Sequence, residues 1–183
     1  MQVLGISGSM REDGNTARLV RAVLDEMERN GFETEFVSLA GLRIGPCTGC
    51  ELCLKEHFCS IQDDWDAIAE KMLEAKVVIL GAPTYYFDVN GQTKNFIDRT
   101  YSLYHHRRLA GHGGVAVAVQ ANTGGERAVQ TIEGFLSTHE FVSLGSVVGN
   151  GYRAGDVERD QSAMEAARSI GRRCAAFLGD RRG

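Results

Sequence analysis

The chain has 183 residues with 24 acidic and 20 basic side chains, a net charge of −4, and no basic stripe of the kind that binds nucleic acid. Its longest apolar run, around residues 77–80, is too short to cross a bilayer, and its first residues do not resemble a basic secretory leader. We therefore expect one domain over residues 1–183, located in the cytoplasm, with no nucleic-acid or membrane partner.

Short apolar runs alternate with amphipathic helical stretches, the pattern of a parallel sheet covered by helices. This alternation predicts an α/β, flavodoxin-like fold with a five-stranded parallel sheet in the order 2-1-3-4-5 and helices on both faces. The predicted strands are 3–7, about 35–39, 77–81, 115–119 and about 142–148. The predicted helices include Leu19 to Met27, begin again at Asp63 or Asp64, cover about 93–104 and 126–137, and end with one that contains Met164 to Phe177.

A cysteine-rich segment at residues 46–60 interrupts the chain after the second predicted strand. Cys47, Cys50, Cys53 and Cys59 follow the spacing C-x2-C-x2-C-x5-C. Ferredoxin-type sequences use the same C-x2-C-x2-C spacing to hold iron–sulfur clusters. The five-residue gap before Cys59 is long enough for the fourth thiolate to reach the same cluster. The spacing therefore favours an iron–sulfur cluster bound by these four cysteines. A structural zinc site and a redox dithiol at the first C-x-x-C pair remain alternatives.

The loop after the first strand is a candidate phosphate site. It combines glycines, hydroxyl groups and the start of a helix, whose N–H groups point at the loop and attract an anion. Neither the P-loop pattern nor the dinucleotide fingerprint G-x-G-x-x-G is present in it. The candidate phosphate-binding residues are Ser7, Ser9, Met10, Arg11, Gly14, Asn15 and Thr16.

Two further loops follow neighbouring strands and are expected at the same edge of the sheet. One brings aromatic side chains that suit a flat ring, and the other brings glycines and small polar groups against which a ring can lie. Their candidate binding residues are Pro83, Thr84, Tyr85, Tyr86 and Phe87, and Asn122, Thr123, Gly124 and Gly125. One phosphate cradle next to surfaces for a planar ring favours FMN as the cofactor.

The chain resembles the NAD(P)H-dependent FMN reductase superfamily over nearly its whole length. The resemblance rests on three motifs, Ser-Gly-Ser-Met-Arg at 7–11 with Gly-Asn-Thr at 14–16, Pro-Thr-Tyr-Tyr at 83–86, and Lys-Asn-Phe-Ile-Asp-Arg at 94–99. Within that superfamily, the cysteine run is similar to that of the iron–sulfur flavoproteins of anaerobic archaea and bacteria. The resemblance implies FMN in the three loops, a [4Fe–4S] cluster on the four cysteines, electron exchange with a ferredoxin, and a homo-oligomer.

These observations predict an electron-transfer flavoprotein that works between a ferredoxin-like donor and an unknown acceptor, as a homodimer or homotetramer. No catalytic side chain is predicted, because the cofactors carry the redox chemistry. The alternative is an NAD(P)H-dependent FMN or quinone reductase whose cysteines bind zinc or form a redox dithiol. A third interpretation is a carrier or zinc-stabilised interaction module without turnover.

Several other polar residues are assigned structural roles. Lys94, Asp98 and Arg99 are expected to form pairs on a helix surface or a subunit contact. Cys174 falls at a buried position of the last helical pattern and is expected to be an inert thiol.

Overall fold

The computed structural model describes residues 2–180. The strands are β1 (Val3–Ser7), β2 (Thr34–Ser38), β3 (Val77–Tyr85), β4 (Asp88–Val89), β5 (Gly113–Gln120) and β6 (Val142–Asn150). The helices are α1 (Asn15–Arg29), α2 (Cys53–Glu56), α3 (Trp65–Glu74), α4 (Gly91–Arg99), α5 (Tyr101–Tyr104), α6 (Gly125–Thr138) and α7 (Gln161–Gly179). A 3₁₀ turn covers Asp156–Arg159.

The main sheet is parallel and runs in the order β2-β1-β3-β5-β6. Once the two-residue β4 is set aside, this is the predicted order 2-1-3-4-5, and the flavodoxin-like fold is confirmed. β1 pairs with both β2 and β3, so these two strands lie on opposite sides of β1. The order in which successive strands are added to the sheet therefore reverses at β1. In such sheets the crevice beyond the carboxyl ends of the strands, next to the reversal, is where ligands bind.

Apolar side chains on both faces of the sheet build two cores. Val77 and Ile79 of β3 face one core with α1 and α7, whereas Val78 and Leu80 face the other core with α3, α4 and α6. All four are fully buried, as expected for a central parallel strand covered on both sides. Cys174 lies in the first of these cores and is fully buried, as predicted.

The structure differs from the predicted elements around the third strand. β3 continues to Tyr85, four residues beyond the predicted end, and pairs antiparallel with β4 through Thr84 and Val89. The single helix predicted over 93–104 is instead two helices, α4 and α5, joined at Thr100. At this junction, the Thr100 hydroxyl donates a hydrogen bond to the carbonyl of Ile97 at 2.6 Å.

The cysteine segment lies between β2 and α3, and only its middle forms a regular element, the single turn of α2. Within residues 2–180, no helix has the combination of length and apolar character that membrane crossing requires.

Candidate functional site

A cleft of about 190 Å³ opens at the carboxyl ends of β1, β3, β5 and β6. Most of the residues predicted to bind a cofactor in the first two loops line it. The lining residues are Ser9, Arg11, Gly14, Asn15, Thr16, Pro83, Thr84, Tyr85, Val119, Ala121, Gly151 and Tyr152. The fold therefore brings the phosphate-loop candidates and the β3 candidates together around one space.

The start of α1 gives this cleft its preference for an anion. Gly14 precedes the helix and has no side chain to cap it, so N–H groups of the first turn remain available to a ligand. Helix N-termini also carry a partial positive charge that favours phosphate. Ser9 is buried, and its hydroxyl oxygen accepts the main-chain N–H of Arg11 at 3.1 Å, which leaves the hydroxyl hydrogen free to donate.

Two hydroxyl groups at this end of the sheet are buried without a partner. The Oγ atom of Ser7, at the end of β1, and the Oγ1 atom of Thr84, on β3, have no hydrogen-bond partner within residues 2–180. Thr84 lines the cleft. Leaving a buried hydroxyl unpaired costs about 1–3 kcal/mol, so these groups fit a site that a polar ligand completes.

A fourth loop, after β6, closes the cleft, and sequence reasoning missed it. Asn15 donates from Nδ2 to the carbonyl of Arg153 at 2.8 Å and accepts at Oδ1 from the N–H of Val157 at 3.3 Å. Arg11 reaches the carbonyl of Tyr152 at 3.3 Å. Asn15 therefore anchors the fourth loop with its side chain. The parallel direction of β6 was the available clue, since all parallel strands end at the same edge.

The aromatic candidates Tyr86 and Phe87 form the turn between β3 and β4. Both have positive φ, at 49° and 67°, which is uncommon for bulky residues and typical of a tight hairpin turn. Tyr86 is completely exposed. Gly124 has φ of 94°, and a Cβ there would lie 2.8 Å from the Cα of Phe87, so the hairpin packs directly on the loop after β5.

The remaining candidates lie near the cleft without lining it. Gly125 donates its N–H to Oε1 of Gln120 at 2.7 Å, which fixes the start of α6. The predicted binding residues outside the lining are Ser7, Met10, Tyr86, Phe87, Asn122, Thr123, Gly124 and Gly125. Their contact with a cofactor stays a prediction.

The four clustered cysteines converge on a second, smaller cavity. Cys47, Cys50, Cys53 and Cys59 all line it, together with the buried Arg99. Cys47 and Cys50 are exposed, Cys59 is half-buried and Cys53 is buried, and none forms a disulfide. Residues separated by up to twelve positions therefore present their thiols to one space.

Asp63 and Arg99 hold the two ends of the cysteine segment together. Arg99 donates from Nη1 and Nη2 to the carboxylate of Asp63 at 2.6 and 3.0 Å. The same two nitrogens donate to the carbonyls of Gly45 at 3.1 Å and Ile61 at 3.2 Å, before and after the cysteines. Asp63 also accepts the N–H of Gly45 at 2.9 Å. This network closes the base of the segment against α4.

The expectation that Arg99 forms a helix-surface pair was wrong. Arg99 is 1% exposed and pairs with Asp63, which lies 36 residues earlier in the chain. The reason is that the cysteine segment folds over the end of α4 and buries its last residue. Lys94 and Asp98 do form the expected surface pair, at 2.6 Å and one helical turn apart.

The surroundings of these groups shift their pKa values in different directions. Burial raises the pKa of Asp63, but hydrogen bonds from Arg99, Gly45 and Trp65 outweigh it and place the pKa below its usual range. Burial lowers the pKa of Arg99, whereas Asp63 and the Cys59 side chain raise it, with a net increase. The Ser60 hydroxyl, 3.5 Å from the sulfur, lowers the pKa of Cys50.

Burial raises the pKa of the Cys53 thiol, the one most enclosed among the four. In Cys174, burial raises the pKa to about 12, so this distant thiol stays protonated and unreactive at neutral pH. The fifth cysteine is thus chemically separate from the cysteine cavity.

The donor set of the cavity suits an iron–sulfur cluster, which thiolates hold. The cavity has a volume of about 20 Å³, so a bound cluster would require the exposed Cys47 and Cys50 to move outward. Within residues 2–180, no three or more His, Cys, Asp or Glu side chains are close enough together to hold a single metal ion, so the four thiols share one cavity without forming a ready-made ion site.

The sheet order and the strand-end cleft define a flavodoxin-like α/β protein. Comparison with solved structures agrees, since a flavodoxin, WrbA-like protein from Agrobacterium tumefaciens superimposes with a TM-score of 0.66 at 17% identity, over 96% of this chain and 94% of that one. This chain belongs to the family described as NADPH-dependent FMN reductase, whose sequence profile matches residues 1–153, and thereby to the flavin-dependent oxidoreductases.

Relatives in the same family are named iron–sulfur flavoproteins. One from Methanocaldococcus jannaschii is 40% identical over 97% of this chain and 97% of its own length. Another, from Archaeoglobus fulgidus, is 37% identical over 86% of this chain and 72% of its own length. These relatives confirm the predicted resemblance to iron–sulfur flavoproteins of the flavodoxin-like superfamily.

Proposed function

We propose that this protein is an electron-transfer flavoprotein that binds FMN in the strand-end cleft and a [4Fe–4S] cluster on Cys47, Cys50, Cys53 and Cys59. It passes electrons between a ferredoxin-like donor and a further acceptor. The observation that carries the proposal is the convergence of all four thiols on one cavity, in a chain of the FMN reductase family.

When bound, a flavin and a cluster together link two-electron and one-electron chemistry. The side chains of this protein supply the binding sites. Ser9 and the start of α1 address the phosphate, and the unpaired hydroxyl of Thr84 offers a hydrogen bond to a polar edge of the flavin. The four thiolates hold the cluster, while Arg99 and Asp63 fix both ends of the segment that carries them.

The names of the archaeal relatives support the cluster, and the family description supports FMN. We further propose that the protein works in the cytoplasm as a homodimer or homotetramer. In such an assembly, each cluster can lie near the flavin of a neighbouring subunit.

A second candidate function is an NAD(P)H-dependent FMN or quinone reductase whose cysteines bind zinc or cycle as a dithiol. Two observations favour it. The family description names NADPH as the reductant. In addition, the exposed Cys50 has a lowered pKa, because the Ser60 hydroxyl stabilises its thiolate, and a stabilised thiolate is typical of a reactive cysteine.

Rapid-mixing measurements on anaerobically purified protein distinguish the two functions. We expect a reduced ferredoxin to bleach the bound flavin faster than NADPH does. The Cys50→Ala variant should retain FMN but lose reduction by ferredoxin, because it lacks one cluster ligand. Cys174→Ala serves as the matched control and should behave like the wild type. This thiol is buried in the core and does not line the cleft or the cysteine cavity.

If NADPH reduces the flavin rapidly in both the wild type and Cys50→Ala, while ferredoxin has no effect on either, the electron-transfer proposal is wrong and the reductase function is favoured.

A further inference from the structure

Arg99 is a buried cation at the boundary between α4 and the cysteine cavity. Its side chain has no exposed surface, and the whole residue is 1% exposed. Moving an unpaired charge from water into a protein interior costs several kcal/mol, so a buried guanidinium needs close compensation. Asp63 provides one negative charge, through contacts at 2.6 and 3.0 Å.

The contacts of Arg99 leave one of its nitrogens unused. Nη1 and Nη2 donate to Asp63 and to the carbonyls of Gly45 and Ile61. Nε is buried and has no partner among the described residues. An arginine that served only to hold the ends of the cysteine segment would account for Nη1 and Nη2. It would not account for a buried Nε–H without an acceptor, in a guanidinium whose pKa the neighbouring Cys59 side chain raises.

The cysteine cavity, which Arg99 lines, contains groups that can accept a hydrogen bond. Arg99 lines the same cavity as all four clustered thiols. Thiolates and cluster sulfides accept hydrogen bonds, and hydrogen bonds to sulfur are one of the means by which proteins set cluster potentials. The guanidinium remains charged at all relevant pH values, so its effect on a cluster is permanent.

We propose that Arg99 is a positioning residue that raises the reduction potential of the cluster, with its buried charge and its free Nε–H directed at the cysteine cavity. The inference rests on the proposed function, because it requires a cluster on the four cysteines. Reduction adds a negative charge to the cluster, and a nearby buried cation stabilises that charge. Asp63 has the opposite effect, since its carboxylate offsets part of the positive charge.

Paired substitutions in the full-length, anaerobically purified protein test this role. Cluster potentials are measured by redox titration monitored by electron paramagnetic resonance. Arg99→Gln, which removes the cation, should shift the potential to a more negative value. Asp63→Asn, which keeps the shape of the side chain and removes the anion, should shift it to a more positive value. Arg99→Lys, which keeps the charge, should stay closer to the wild type than Arg99→Gln does.

Arg108→Gln is the matched control for loss of one positive charge. Arg108 is exposed and contacts the same segment through the carbonyl of His57, at 3.3 Å. Solvent screens exposed charges, so this variant should shift the potential less than Arg99→Gln. If Arg99→Gln does not fold, the comparison of Asp63→Asn with the wild type and Arg108→Gln still tests the proposal through the sign of the shift.

A purely structural role for Arg99 predicts potentials unchanged in every variant, or shifts of the same sign in Arg99→Gln and Asp63→Asn. Either result overturns the inference while the proposed function stands. Wild-type protein without iron and sulfide overturns the proposed function itself, and this inference with it.

Discussion

Thr84 has a buried hydroxyl at the lining of the strand-end cleft, where a bound ligand would satisfy it. It lies at the cleft lining, and its Oγ1 atom has no partner among the residues that the structure describes. Among the predicted binding residues of β3, it is the one whose environment is most incomplete without a cofactor. Its role can therefore be tested with a change that preserves the shape of the side chain.

We predict that Thr84→Val weakens FMN binding about 5- to 150-fold, because losing a hydrogen bond to a ligand costs about 1–3 kcal/mol. Fluorescence titration of the flavin-free protein with FMN measures the dissociation constant. Thr138→Val, at an exposed position on α6, is the control and should bind FMN like the wild type. An unchanged constant for Thr84→Val would show that its hydroxyl does not contact the flavin.

His139 is a second residue with an unusual environment. It is buried at the end of α6, with Nε2 2.9 Å from the Thr100 hydroxyl and with no partner for Nδ1 in the described part of the chain. Burial lowers the pKa of His139 to about 4. The unfolded chain has a histidine pKa of about 6.5, so protonation favours unfolding. The contribution of the neutral ring to stability is therefore complete above pH about 6.5 and is lost as the pH falls towards 4.

We predict that this residue destabilises the protein by on the order of 3 kcal/mol between pH 7 and pH 4. Denaturant unfolding at several pH values should give a shallower acid slope for His139→Gln than for the wild type. Equal slopes would mean that His139 titrates normally in the folded protein.

At the scale of single residues, the sequence predicted which side chains can act as ligands better than it predicted which polar side chains are buried. The spacing of Cys47 to Cys59 was enough to predict their convergence, because ligands close in sequence need little help from the fold. The environment of Arg99 depends on Asp63, 36 residues away, and on the cysteine segment folding over the end of α4. No local pattern around residue 99 carries that information.

α4 is the element that connects the two candidate sites. At its start, Asn90 donates from Nδ2 to the carbonyl of Gly8 in the phosphate loop, at 2.8 Å. At its end, Arg99 lines the cysteine cavity. A helix of nine residues is about 13 Å long, so α4 fixes the phosphate loop and the cysteine segment at a short, defined separation.

The contact between Gly8 and α4 leaves no room for a side chain. A Cβ at Gly8 would lie 1.9 Å from Oγ1 of the fully buried Thr93. We predict that Gly8→Ala destabilises the protein by about 1–3 kcal/mol and weakens FMN binding, because the phosphate loop and α4 must separate. For a chain of this length the melting temperature should fall by roughly 2–12 °C, measured by calorimetry.

Gly134→Ala is the control for that prediction. Gly134 lies on the exposed side of α6, and a Cβ there meets nothing within 4 Å. Alanine is a better helix former than glycine by about 1 kcal/mol, so this variant should melt at the same or a higher temperature. A Gly8→Ala variant as stable as Gly134→Ala would contradict the tight packing between the phosphate loop and α4.

At the element scale, the sequence predicted the strands and helices with strong periodicity and missed the hairpin of β3 and β4. Its turn is formed by Tyr86 and Phe87, which lack the Asn-Gly pattern that normally marks such turns. Contact with Gly124 of a distant loop helps to hold this conformation. The break between α4 and α5 was also hidden, since no glycine or proline marks Thr100.

The whole molecule has exposed apolar surface beside the cysteine segment. A groove of about 730 Å³ runs beside the cysteine segment, and its lining includes Cys47, Tyr101, Tyr104 and Phe135. Tyr101 and Tyr104 are 38% and 42% exposed. Aromatic surface of this kind, next to a candidate redox centre, is typical of an interface.

We predict that the wild-type protein is a homodimer or homotetramer in solution, and that Tyr104→Glu shifts it towards the monomer by placing a charge in the groove. Light scattering coupled to size-exclusion chromatography measures the mass. Val142→Glu, at an exposed apolar residue of β6, is the control and should keep the wild-type mass. Wild-type protein with the mass of one chain at working concentration would exclude the oligomer.

Cofactor analysis of anaerobically purified protein tests the central claim most directly. Iron, acid-labile sulfide, zinc and flavin are quantified per chain in the wild type, Cys53→Ala and Cys174→Ala. We predict about four iron, about four sulfide and about one FMN in the wild type and Cys174→Ala, with iron and sulfide lost but FMN retained in Cys53→Ala. Flavin-loaded wild-type protein that carries zinc or no metal, or undiminished iron and sulfide in Cys53→Ala, would contradict the assignment of a cluster to these four cysteines.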